Sequence, residues 1–154
     1  MPNFSGKSAQ RQTVRVHSRT EIFNQTYKTA HNMVRAMKPG GVGILLSESC
    51  EGIGNDKFRT ICTDFSDNES RELELKTNYE IASFMGYTQL LWAQQNHLIL
   101  VSSLPLEQVR QMGMIPAGTL DEALSVAEGF LNRDYRVYLM PAAATTLPIL
   151  WEAG

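Results

Sequence analysis

Three short apolar runs constrain this chain more than any other feature: 42–47 (VGILLS), 97–102 (HLILVS) and 136–140 (RVYLM). They are apolar at most positions in a row and too short for helices, so they read as strands, the first two of them covered on both sides. Such strands belong to parallel sheets, whose neighbours are joined by crossovers and not by tight hairpins. The stretches between the runs carry helical periodicity. The pattern predicts an α/β fold: a three-layer sandwich with a mainly parallel sheet of about four strands and helices on both faces.

The helices can be placed from their caps and apolar stripes. Ser18-Arg-Thr-Glu21 is a capping-box pattern, after which Phe23, Tyr27, Ala30, Val34 and Met37 recur at helical spacing until Pro39-Gly40-Gly41 stops the pattern. A short helix is expected over 56–65, and the acidic stretch 64–74 reads as a solvated loop. Asn78 is a candidate cap for a helix through Gln95 that is apolar most of the way round. Ser103-Leu-Pro105 opens a short helix ending near Gly113, 114–116 reads as a minimal strand, and Thr119-Leu-Asp-Glu122 opens an amphipathic helix. Residues 1–17 are polar and aperiodic, a flexible lead-in with a short strand near 13–16, which leaves 18–154 as a single domain.

Composition narrows the function classes. Fourteen basic and sixteen acidic residues are scattered along the chain, with no footprint for a nucleic acid or an anionic membrane. No apolar run approaches the roughly 20 residues that span a bilayer, and the opening MPNFSGKSAQRQ has no signal-peptide core, so a soluble cytoplasmic protein is expected. Cys50 and Cys62, with eleven residues between them, match no zinc or redox spacing and read as reduced thiols.

Two places could carry chemistry. The stretch SESCEGIGNDKF (47–58) follows a strand and puts Gly52 and Gly54 before a helix, where backbone N–H groups can cradle an anion or simply make a tight turn. It matches neither G-x-G-x-x-G nor the P-loop pattern. Glu48 and Glu51 flank it as possible acid/base groups or as solvated carboxylates. Gln25, Lys28, Asn32 and Arg35 form the second place, falling within about 80° of one another on the polar side of the first helix. That face is either solvated or turned into a cleft against another domain. His17, His31 and His97 share no metal-ligand spacing, and no G-x-S-x-G elbow occurs.

The blocks KPGGVGILLSESCEGIGNDKF (38–58), LILVSSLP (98–105), GMIPAGTLDEAL (113–124) and VYLMPAAATTLPIL (137–150), in this order, resemble the C-terminal domain of the nickel-dependent lactate racemase family over about 21–150. The resemblance implies a full-length enzyme that racemises or epimerises a 2-hydroxy acid, moving a hydride off and back onto the substrate carbon with a nickel pincer nucleotide. It also implies that the cofactor is held by an N-terminal catalytic domain, this chain's partner, so that the chain alone binds no cofactor or metal and is inactive. In that family the C-terminal domain closes over the substrate with a Gln and a Lys three residues apart and a later aromatic residue. Gln25 and Lys28 match the pair, Phe84 lies near the aromatic position, and Trp92 stands two helical turns further on. By resemblance, Lys28 is the catalytic candidate, on the substrate carboxylate or on oxygen charge as it develops. Gln25 orients the substrate, and Phe84 or Trp92 excludes water. The family's Gly-Tyr-Pro-x-Asp before the Gln is replaced here by Arg19-Thr-Glu-Ile-Phe-Asn24, so another hydroxy acid or a sugar acid is as open as lactate. The alternatives are a stand-alone module for small anions and a protein-interaction domain.

Overall fold

A computed structural model describes residues 12–18, 22–132 and 134–149. Five strands, β1 (Gln12–Ser18), β2 (Val42–Ser47), β3 (His97–Val101), β4 (Ile115–Ala117) and β5 (Arg136–Met140), form one sheet in the order β4-β3-β2-β1-β5. All four pairings are parallel, with Thr13 opposite Val42 and Val137, and Val42 opposite His97. The helices are α1 (Tyr27–Arg35), α2 (Asp56–Thr63), α3 (Asn68–Thr77), α4 (Ile81–Gln95), α5 (Leu106–Gln111) and α6 (Leu120–Glu128). The expected α/β sandwich with a parallel sheet is present.

Right-handed crossovers explain the layering. The chain steps from β1 to β4 in one direction, and α1, α2, α4 and α5 contribute to the core on one side of the sheet: Ala30, Met33, Phe58, Ile61, Leu90 and Val109 pack with Leu45, Leu98 and Leu100. It then returns past the whole sheet to β5, and α6 packs Ala123 and Ala127 against Val42, Ile44 and Ile99 on the other side. Alternate residues of β2 and β3 thus face opposite cores, which is why these runs are apolar throughout. Each fully buried Leu, Ile or Phe contributes about 2 kcal/mol to that packing. β5 is an edge strand, and Val137, Tyr138 and Leu139 are exposed.

The strand expected near 13–16 is β1, beginning at Gln12 and lying between β2 and β5, and with it the sheet has five strands. Two expectations, for the acidic stretch and for Asn78, need correction. The acidic stretch is not a loop over its whole length: 68–77 is α3, capped by the Asp67 carboxylate accepting from Ser70 N at 2.8 Å. Its Glu, Leu and Lys residues are good helix formers, and Glu69 and Lys76 suit the two ends of the helix dipole. Finally, Asn78 ends α3 instead of opening α4, whose N-cap is Glu80. The capping box proposed at Ser18–Glu21 involves side chains outside the described residues. Among the described residues no helix is long and apolar enough to cross a membrane.

Candidate functional site

The first helix does not begin as an α-helix. Phe23–Thr26 makes a single 3-10 turn and continues into α1. The N–H groups that a helix start leaves unpaired are taken up by the glycine loop: Phe23 N donates to Gly52 O at 2.9 Å and Asn24 N to Ile53 O at 3.1 Å. Gly52 and Gly54 have φ of 86° and 83°, a conformation glycine adopts freely. A Cβ on Gly54 would stand 1.7 Å from Ile22 Cγ2, so the loop and the turn close on each other.

Hydroxyls tie the same turn to the sheet. Thr26, fully buried, has its Oγ1 2.9 Å from Ser47 Oγ at the end of β2, and Ser47 Oγ lies 2.9 Å from Ser49 Oγ. On either side of Thr26, Gln25 and Lys28 are exposed. Neither of the two ion pairs among the described residues, Arg59–Asp56 and Arg110–Glu107, involves Lys28. Of the four residues read as one polar face, Gln25, Lys28 and Arg35 are exposed, whereas Asn32 is half-buried and donates to Ala143 O at 2.6 Å. Asn32 thus holds the turn after β5 against α1. The buried positions of this segment are Phe23, Thr26, Thr29, Ala30 and Met33, a stripe rotated toward the threonines. Two threonines at core spacing were the available signal for the hydroxyl contact.

The two aromatic candidates part company. Trp92 is half-buried and stacks on Tyr27 and His31, with ring centroids 5.1 and 5.5 Å away. Tyr27 OH also lies 3.1 Å from Thr88 Oγ1, one turn before Trp92 on α4. Trp92 therefore belongs to the α1–α4 contact. Phe84, one turn before Thr88, is 42% exposed.

The glycine turn offers little to an anion. The Asn55 side chain already accepts from Lys57 N at 2.9 Å and Phe58 N at 3.2 Å. A cleft of about 290 Å³ between the Gly52–Asp56 loop, Arg59 and Gln108 carries the Asp56 carboxylate beside the Arg59 guanidinium, 3.2 Å apart. No group of three or more His, Cys, Asp or Glu close enough to hold a metal ion occurs among the described residues. His97 stacks on Phe130 at 4.0 Å. Cys50 is exposed, and Cys62 is buried, its thiol pushed up to about 12 by burial against the weaker opposing pull of Arg71.

In an open parallel sheet, ligands bind beyond the strand C-termini where the strand order reverses. Here that point lies between β1 and β5, and the segments that follow those two strands hold Gln25 and Lys28 on one side and Ala143 on the other. This defines an open-sheet α/β domain with its polar turn at the topological switch point. Residues 21–147 match the family described as "Lactate racemase C-terminal domain", and the chain belongs to that family. Its fold is similar to that of the lactate racemase apoprotein from Thermoanaerobacterium thermosaccharolyticum, with a TM-score of 0.78 and 22% identity. The match covers 90% of this chain and 35% of that one, so the chain spans about a third of that protein's length. No curated protein matches the chain.

Proposed function

We propose that the chain acts as the substrate-closing domain of a 2-hydroxy-acid racemase or epimerase, working in the cytoplasm with an N-terminal catalytic domain of the same family. One observation supports this most: Gln25 and Lys28 stand exposed at the switch point while Thr26 between them is buried against the end of β2. An ammonium and an amide held outward on an anchored turn suit a carboxylate and a neighbouring hydroxyl, through charge-assisted and neutral hydrogen bonds. Lys28 binds the carboxylate or steadies negative charge developing on a substrate oxygen, and Gln25 fixes the substrate's orientation. Phe84, exposed on α4, is the better of the two aromatics to exclude water from the reacting carbon, because Trp92 is engaged by Tyr27 and His31.

Among the described residues no group of three or more His, Cys, Asp or Glu comes together that could hold the nickel of a pincer nucleotide. The ligands and the anchoring chemistry would come from the N-terminal domain, and the isolated chain is expected to be inactive. Capture of a small anion by the glycine turn has weaker support, because Asn55 occupies two of its amides. The test is reconstitution: the chain is mixed with a cofactor-loaded N-terminal domain of the family and enantiomers of 2-hydroxy acids and sugar acids are followed by chiral chromatography. Interconversion that needs both pieces supports the reading. Interconversion by the N-terminal domain at the same rate without the chain would remove it.

A further inference from the structure

We infer that the hydroxyl chain Thr26–Ser47–Ser49 positions the Gln25–Lys28 turn for substrate, an inference that rests on the proposed function. Three features point to it. The three residues are all nearly or fully buried, at 0%, 3% and 1% exposure, in a layer where apolar side chains would pack without needing hydroxyl partners. Their oxygens follow one another at 2.9 Å, from the first helix across the end of β2 into the loop. Ser49 is also the one non-glycine residue among those described with a left-handed backbone, at φ 51°. Such conformations persist only where surrounding contacts over-determine them.

The chain has a directional consequence. Ser49 O accepts from Gly52 N at 3.0 Å, and Gly52 O accepts from Phe23 N at 2.9 Å, so the loop closes a ring with the turn it supports. Thr26 fixes the ring's far side. Shifting the ring by one ångström would shift Gln25 and Lys28 with it, which is enough to spoil hydrogen bonds that need donor and acceptor within about 3 Å. Buried polar networks that are well satisfied fix one geometry where an apolar contact would tolerate several. Thr26, Ser47 and Ser49 are therefore positioning residues that reach the substrate only through their exposed neighbours.

The test compares Thr26→Val, which keeps shape and removes the hydroxyl, with Thr26→Ser, which keeps the hydroxyl. Ser49→Ala is the second variant, cutting the far end of the chain without touching α1. Amide hydrogen exchange on the 154-residue chain reads the position directly. Exchange at residues 25–28 is expected to rise about tenfold in Thr26→Val and Ser49→Ala, with β3 unchanged, and to return in Thr26→Ser. In the reconstituted reaction the same two variants are expected to raise KM about tenfold with kcat little changed, again reversed by Thr26→Ser. Unchanged exchange at residues 25–28 in both variants would overturn the positioning role, as would unchanged KM in a reaction that Lys28→Ala impairs. If Lys28→Ala leaves turnover intact, the proposed function is what fails, and the exchange result still decides whether the hydroxyls hold the turn.

Discussion

Ile22 packs so closely over Gly54 that a Cβ on the glycine would lie 1.7 Å from Ile22 Cγ2, while the same addition at Gly52 meets nothing within 4 Å. Both glycines have positive φ, so each alanine variant bears a backbone cost of about 1–2 kcal/mol. Gly54→Ala adds a steric cost that Gly52→Ala lacks. Urea unfolding should show Gly54→Ala as the more destabilised by at least about 1 kcal/mol. Equal losses would mean that the loop does not close on the first turn as described.

Arg71 is the buried cation among the described residues. Its guanidinium donates to Ile61 O at 3.0 Å, to Phe65 O, and to Asn68 Oδ1 at 3.4 Å, tying α3 to the carboxyl end of α2. Arg71→Met should cost about 2–3 kcal/mol in chemical denaturation, by leaving those carbonyls unpaired. Arg71→Lys should recover little, because an ammonium cannot span acceptors arranged around a planar fork.

The fold is legible where a single local rule decides the structure. β2 and β3 show in the sequence as unbroken apolar runs because both faces are covered, and α6 shows through Thr119, whose hydroxyl accepts from Glu122 N at 3.2 Å. β1 shows in the sequence as a short strand near 13–16, without its place in the sheet. QTVRVHS mixes polar and apolar residues, and its place in the sheet comes from pairing with β2 and β5, which are distant in sequence. α3 was hidden for another reason: its charged residues carry little periodicity, and its one buried side chain is an arginine. At the candidate site, the exposure of Gln25 and Lys28 follows from the helix period. The link from Thr26 to Ser47 spans 21 residues and left only a threonine at core spacing as its trace.

Phe84 and Trp92 should separate in opposite directions. Trp92→Ala removes a ring stacked on Tyr27 and His31 and is expected to destabilise the chain by about 2–4 kcal/mol. Phe84→Ala, at a 42% exposed position, should cost under about 1 kcal/mol in stability and instead lower kcat in the reconstituted reaction. A Phe84→Ala variant with full turnover would show that its ring does not cover the substrate.

High pH should weaken the fold through two buried groups. Burial raises the Cys62 thiol from 9.0 to about 12, and burial followed by the bond to Glu72 raises the Tyr87 phenol from 10.0 to about 12. Both pKa values are higher in the folded state, so the stability they contribute is complete below about pH 9 and is lost as pH rises toward 12. Urea midpoints should fall steadily across that range, and less steeply in Cys62→Ala and Tyr87→Phe. At pH 8 a thiol reagent should modify the exposed Cys50 quickly and Cys62 only on unfolding.

Lys28 carries the central claim, and its removal in the reconstituted reaction is the most direct test. Lys28→Ala should lower kcat/KM for the 2-hydroxy acid by about 10- to 100-fold, the loss of one charge-assisted hydrogen bond, while the urea midpoint stays where it was because the side chain is exposed. An unchanged kcat/KM in that variant would contradict a substrate-closing role for the turn held between the glycine loop and β2.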